Sequence, residues 1–199
     1  MIRALICLVL LAAPVQAQEQ QCRLALLLGL DVSASVDEAE HQLQRDGLIA
    51  ALLAPEVQEP LFAGPGPVAL GIYEWSGRFQ QQVISPWRLI RTEAELALVI
   101  DELQTTPRST GEFPTAIGYA LAYASEMFET APPCLFQTLD IAGDGQNNDG
   151  FTPDLAYLHF ELDAVTVNGL AIGGATSSSK WRCSRPRRPA CFRPSISRA

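Results

Sequence analysis

A short polar segment, Asp31-Val32-Ser33-Ala34-Ser35, directly follows the apolar run at 24–30. Such a run is typical of a buried β-strand, so the carboxylate and the two hydroxyls are expected at that strand's carboxyl end. In open α/β sheets, ligands bind at this end. One carboxylate and two neutral hydroxyls form a hard oxygen set that suits Mg²⁺ or Mn²⁺ and leaves the ion with free coordination positions. The segment therefore predicts a cation site that binds a further ligand.

Two more polar residues are expected at the same sheet edge. Asp144 follows a second strand candidate at 135–141, and Thr115 lies at the amino end of a predicted helix after the loop 106–113. If the two strands are neighbours, Asp31 and Asp144 meet at the topological switch point of the sheet. Each residue alone has an ordinary explanation, as a helix-capping hydroxyl or a turn former. Their conjunction favours a metal site.

Strand and helix patterns alternate along the chain. The predicted strands cover 24–30, 68–73, 82–84, 135–141 and 165–172, the second and third as an edge hairpin. The predicted helices run from the capping box at 35–38 to about Leu53, from the capping box at 92–95 to about Leu103, from Pro114 to about Glu129, and over a few residues from Thr152-Pro153. This alternation predicts an α/β fold with a doubly wound, mostly parallel sheet and helices on both faces.

The order Asp31-x-Ser33-x-Ser35, then Thr115, then Asp144 resembles the metal-ion-dependent adhesion site (MIDAS) of von Willebrand factor type A (VWA) domains. The resemblance implies that the three hydroxyls touch a Mg²⁺ or Mn²⁺ ion directly. It also implies that Asp31 and Asp144 hold the ion mainly through ordered waters. By the same resemblance, the function is adhesion-type binding, in which an Asp or Glu of a protein partner completes the coordination.

The resemblance extends from about residue 23 to residue 174, with two departures. Residues 73–77 and 144–150 resemble signatures of an uncharacterised bacterial branch of the superfamily. Gly143 stands where Thr is common in the family. The pattern also stops after residue 174, before the last strand and helix that would normally close such a VWA- or Rossmann-like sheet.

The two ends of the chain differ in composition from its body. Residues 1–17 have the form of an export signal, with Arg3, an apolar stretch at 4–13 and a small-residue cleavage site. We expect a VWA-like domain over 18–174 and a basic, disordered or aberrant tail over 175–199. No apolar stretch is long enough to span a bilayer, so we expect a soluble exported protein, periplasmic or secreted.

Charge is distributed unevenly. Residues 1–163 hold 7 basic and all 22 acidic side chains, a net charge of −15, whereas residues 164–199 hold 7 basic side chains and no acid. Duplex binding depends on neutralising phosphates, so the acidic body makes nucleic acid an unsuitable partner.

Four cysteines remain after removal of the signal, in a compartment where disulfides persist. Cys22 lies nine residues before Asp31, and Cys134 lies ten before Asp144. If their strands are parallel neighbours about 4.8 Å apart, the two sulfurs meet at the end away from the site. The spacing predicts a Cys22–Cys134 disulfide, with two unrelated buried thiols as the alternative.

Sequence motifs favour a binding module over an enzyme. The chain has no Gly-x-Ser-x-Gly elbow, His-Glu-x-x-His helix, P-loop or dinucleotide fingerprint. His41 and His159 fall in helix patterns and are interpreted as surface or half-buried residues rather than bases. Trp75 and Arg78 either line a ligand surface or serve packing and solvation. Two alternatives stay open: a structural exported domain with a metal that braces its loops, and a metal-assisted hydrolase.

Overall fold

The structure, a computed structural model, describes residues 21–144 and 146–172. In this part of the chain, five strands form one sheet in the order β3-β2-β1-β4-β5. All neighbours pair in parallel except β2 and β3, which form the antiparallel edge hairpin. The strands are β1 (Cys22–Asp31), β2 (Val68–Trp75), β3 (Gln81–Ile90), β4 (Cys134–Gly143) and β5 (Val165–Ala171).

Helices cover both faces of the sheet, so the predicted doubly wound α/β fold is confirmed. They are α1 (Glu38–Leu53), α2 (Pro55–Ala63), α3 (Glu93–Thr105), α4 (Ile117–Glu129) and α5 (Pro153–His159). Helices α4 and α5 pack on one face, in a core that includes Leu27 and Leu139. Helices α1 to α3 pack on the other face, in a core that includes Leu28 and Ile72. Burial of both faces explains why β1 is almost entirely apolar up to Asp31.

The switch point lies between β1 and β4. The chain leaves β1 for β2 and β3 on one side and returns through α4 to β4 on the other. The carboxyl ends of β1 and β4 therefore lie side by side, with Asp31 at the first and Asp144 directly after the second. This is the crevice in which open α/β sheets bind ligands.

Two predicted helix boundaries were wrong, and helix α2 was not predicted. Asp37, not Ser35, caps α1, through a reciprocal capping box with Glu40. Pro55 does end α1, but it also begins α2, because proline suits the first helical position. Helix α4 begins at Ile117 rather than at Pro114. Both Ser35 and Thr115 are therefore outside the helices.

The predicted Cys22–Cys134 disulfide is confirmed. The two residues are register partners in the β1–β4 pairing, their Cα atoms are 4.4 Å apart, and their sulfurs are bonded. The bond joins the amino ends of the two strands whose carboxyl ends carry Asp31 and Asp144.

Two expectations concern segments outside the described residues, namely the signal at 1–17 and the tail at 175–199. A closing strand and helix after residue 174 would also lie there. No helix that the structure describes is both long enough and apolar enough to cross a membrane.

The disulfide closes a loop with a sequence separation of 112 residues. We expect the double variant Cys22→Ala/Cys134→Ala to lose up to about 4 kcal/mol of unfolding free energy, since its unfolded chain is less constrained. Urea unfolding of the variant and the oxidised wild type measures the loss. Peptide mapping without reduction should recover the linked pair; a free, alkylated Cys22 would contradict the assignment.

Candidate metal centre

Asp31 is fully buried at the end of the central strand. Its Oδ1 atom accepts a hydrogen bond of 2.8 Å from the Ser33 amide, whereas its Oδ2 atom is buried without a hydrogen-bond partner. A Cβ atom added at Gly143 would lie 3.1 Å from that Oδ2 atom. Because Gly143 has no side chain, the Asp31 Oδ2 atom can lie close to the end of β4.

Three hydroxyls connect the neighbouring segments in one hydrogen-bonded chain. Thr115 Oγ1 lies 3.1 Å from Ser33 Oγ, which lies 3.1 Å from Ser35 Oγ. Ser35 Oγ in turn donates to Asp144 Oδ1 over 2.8 Å. The structure thus brings together all five residues that the sequence singled out.

The constellation opens to solvent on one side. Ser33 and Thr115 are buried with Asp31, Asp144 is half-buried, and Ser35 is exposed. A ligand can therefore approach from the side of Ser35 and Asp144, while Asp31 forms the floor.

The carboxylates carry negative charge that the protein does not neutralise. Burial raises the pKa of Asp31 to about 6, because desolvation outweighs the hydrogen bonds from Ser33; the charge of Asp144 adds to the rise. Among the described residues, no basic side chain lies within ion-pair distance of Asp31 or Asp144. The floor of the site therefore favours a cation.

Arg108, which sequence reasoning missed, holds the segment that carries the serines. Its guanidinium donates to the carbonyl oxygens of Val32 over 3.2 Å and of Val36 over 2.7 Å, and its Nε atom donates to Thr110. It is the one basic residue in the loop 106–116. A single basic residue in a long loop was the sequence signal that could have indicated this role for Arg108.

Two asparagines after β4 bind the backbone of Thr115 and of the start of α4. Asn148 Oδ1 accepts the Thr115 amide over 2.9 Å, and the Asn148 amide donates to the Thr115 carbonyl over 3.0 Å. Asn147 Oδ1 accepts the Gly118 amide at the start of α4 over 3.2 Å. The sequence marked this asparagine pair only as part of a family signature.

The interpretation of His41 as a surface or half-buried residue was wrong. His41 is buried, and its Nε2 atom lies 3.1 Å from Oε1 of the buried Glu74. Glu74 Oε2 accepts the Ser109 amide over 2.8 Å, next to Arg108. Burial raises the pKa of Glu74, but the hydrogen bonds from His41 and Ser109 outweigh it and leave the pKa below its ordinary value. The pair thus anchors the loop 106–116 from beneath.

Of the two residues considered for a ligand surface, only one is exposed. Trp75 is fully buried and packs in the core. Arg78 is exposed and pairs with Asp149 over 2.7 Å. The Asp149 amide also donates to the Thr115 carbonyl over 3.2 Å. His159 is exposed, as expected.

The five candidate residues offer oxygen donors only, from two carboxylates and three hydroxyls. The described residues contain no cluster of three or more His, Cys, Asp or Glu side chains that could hold a metal ion. A cation held by these five residues would therefore contact hydroxyls as well as carboxylates. Hard oxygen donors of this kind suit Mg²⁺ and Mn²⁺.

Comparison with known structures identifies the fold. The proximal thread matrix protein 1 of the mussel byssus superposes with a TM-score of 0.58 and 17% identity, covering 78% of this chain and 39% of that one. A von Willebrand factor type A protein from Catenulispora acidiphila gives 0.52 and 19%, with coverages of 76% and 33%. An aerotolerance-related membrane protein from Bacteroides fragilis gives 0.52 and 20%, with coverages of 81% and 77%. The chain thus spans well under half of the first two proteins.

Sequence comparison places the chain more narrowly. No curated protein matches it. The profile of a family described as "Protein of unknown function (DUF1194)" matches residues 21–192, most of the chain. The protein therefore belongs to the DUF1194 family and has the von Willebrand factor type A fold.

Proposed function

We propose that this protein binds Mg²⁺ or Mn²⁺ through Asp31, Ser33, Ser35, Thr115 and Asp144, and captures an acidic side chain of a protein partner there. One observation carries the proposal: the Asp31 Oδ2 atom is buried without a partner beside three linked hydroxyls. An unpaired buried carboxylate oxygen is unfavourable unless a cation or water satisfies it.

The geometry supports different roles for the five residues. The Ser33 hydroxyl already lies 3.1 Å from the hydroxyls of both Ser35 and Thr115, so the three can turn their lone pairs to one ion. Asp31 is fixed by the Ser33 amide and supplies charge from below. Asp144 supplies charge from the open side.

The partner's chemistry follows from the donors. When bound, a divalent cation held mainly by neutral hydroxyls keeps positive charge and an open position for a carboxylate. Ser35 and Asp144 face solvent, so this position is accessible to a side chain of another protein. An Asp or Glu fits both the charge and the hard-oxygen preference.

One solved protein of this fold supports the proposal of a divalent ion at the site. The mussel matrix protein has also been solved with a zinc-occupied MIDAS motif, at 19% identity and a TM-score of 0.53. We propose Mg²⁺ or Mn²⁺ for this chain because its donors are oxygens alone. Because the sequence predicts an export signal, we also propose that binding occurs outside the cytoplasm.

We favour binding over catalysis. Of the two histidines, His41 is held by Glu74 beneath the site and His159 lies on α5, so neither is available beside the hydroxyls as a base. The alternative of a purely structural domain differs in its response to metal removal.

Asp31→Ala is expected to abolish measurable Mg²⁺ and Mn²⁺ binding, because it removes the charge on the floor of the site. Calorimetric titration of the metal-free protein measures the affinity. Asp140→Ala is the matched control, since this carboxylate lies within β4 and accepts a hydrogen bond from Asn168 instead. Undiminished affinity in Asp31→Ala would refute the assignment of the site.

EDTA is expected to release the partner while the domain remains folded. Pull-down from the exported proteome with and without EDTA tests the release, and circular dichroism tests the fold. Equal recovery of partner in EDTA would contradict metal-dependent capture. Loss of secondary structure in EDTA would instead support the structural alternative.

In EDTA at pH 7.5, Asp31→Asn is expected to raise the free energy of unfolding by about 2 kcal/mol, since it removes a buried charge but keeps an acceptor for the Ser33 amide. The advantage depends on pH. Folded Asp31 has a pKa of about 6, above the ordinary value of 3.8, so the folded wild type takes up a proton first as the pH falls.

The wild type should therefore gain stability relative to Asp31→Asn between pH 7 and pH 4, and the two should converge at the acidic end. Urea unfolding of both proteins at several pH values measures the difference. A difference that stays constant across this range would show that the buried charge is not its cause.

A further inference from the structure

Large aromatic side chains are exposed beside the candidate metal site. Phe79, in the turn between β2 and β3, is 82% exposed, and Phe113, in the loop before α4, is 39% exposed. Tyr119, in the first turn of α4, is half-buried. We name these three residues the aromatic rim.

The rim is joined to the segments that form the site. The Phe113 carbonyl accepts the Ala34 amide over 2.8 Å, between the two serines of the Asp31–Ser35 segment. The Phe79 and Tyr119 rings meet edge to face, with centroids 6.0 Å apart. Phe113 and Tyr119 also flank Thr115 in the sequence. The rim therefore lies at the same edge of the sheet as the site.

Two glycines leave room for side chains of the aromatic rim. A Cβ atom at Gly77 would lie 3.2 Å from the Phe113 Cβ atom, so the absence of a side chain lets Phe113 approach the β2–β3 turn closely. Gly150 has a φ of +68°, and a Cβ atom there would lie 2.5 Å from the Tyr119 ring. The backbone on both sides is thus shaped to accommodate these rings.

Tyr119 packs on Phe151, with ring centroids 4.3 Å apart, but core packing does not account for Phe79. Phe79 leaves most of its surface in water, where an aromatic ring adds little to folding. Buried aromatic residues dominate the binding energy at protein interfaces, and exposed apolar patches with polar borders mark such surfaces. The exposed Arg78–Asp149 ion pair gives this patch a polar border.

We infer that the aromatic rim recognises an apolar side chain of the partner, within two residues of the Asp or Glu that reaches the metal. The inference rests on the proposed function and narrows its partner class to an acidic residue flanked by Phe, Trp, Leu, Ile or Met. The negative carboxylate complements the cation site, and the apolar neighbour complements the rim.

A random peptide library displayed on phage tests the inference. The full chain is loaded with Mn²⁺ and immobilised, and bound phage are eluted with EDTA. The eluted peptides should carry Asp or Glu within two residues of a large apolar residue. A synthetic copy of the most enriched peptide then serves as the defined ligand.

Phe79→Ser is expected to weaken binding of that peptide at least about tenfold and to leave Mn²⁺ affinity unchanged. Phe113→Ala should act in the same direction. Phe136→Ser is the matched control, because Phe136 is 69% exposed but lies near the amino end of β4, opposite the site. It should leave peptide affinity unchanged.

The experiment distinguishes a failure of the inferred role of the rim from a failure of the proposed function. EDTA-eluted peptides with an acid but no enriched apolar neighbour would overturn the role of the rim and leave the proposed function standing. An equal loss of Mn²⁺ affinity in Phe79→Ser would also overturn it, since the ring would then act by holding the site. A selection without EDTA-dependent peptides would overturn the proposed function as well.

Discussion

The buried carboxylate of Asp31 is the constraint on which the site depends. It ends the central strand, where apolar residues cover both faces of the sheet, and only one of its oxygens has a partner. Desolvation raises its pKa, and the half-buried Asp144 nearby adds negative charge. The fold therefore places unneutralised negative charge beneath three linked hydroxyls, and this arrangement is the basis of the proposed cation site.

Loops rather than strands supply the rest of the site, so contacts from outside must fix them. Arg108 binds the carbonyls of the serine segment, and Asn148 binds both backbone groups of Thr115. Glu74, itself held by His41, anchors the loop that carries Arg108. At the opposite end of the sheet the disulfide joins β1 to β4. Together these contacts organise the hydroxyls in advance, which lowers the entropy lost on binding.

Sequence patterns predicted part of the fold correctly. The apolar runs, the Thr92 capping box and the cysteine offsets gave the strands, α3 and the disulfide. Long-range polar contacts leave no period in a sequence, so nothing predicted the burial of His41 against Glu74 or which carbonyl oxygens Arg108 would bind. The prediction that Ser35 caps α1 was wrong because Asp37, two residues later, is also a capping residue. Asp37 forms the capping box with Glu40. The Ser35 hydroxyl bonds Ser33 and Asp144 instead.

The most direct test of the account is a crystal structure of the full chain soaked in Mn²⁺, with data collected at an energy that gives a manganese anomalous signal. The account predicts one anomalous peak in direct contact with the hydroxyls of Ser33, Ser35 and Thr115. A fully ordered site without such a peak at saturating Mn²⁺, or a peak held elsewhere on the protein alone, would contradict it.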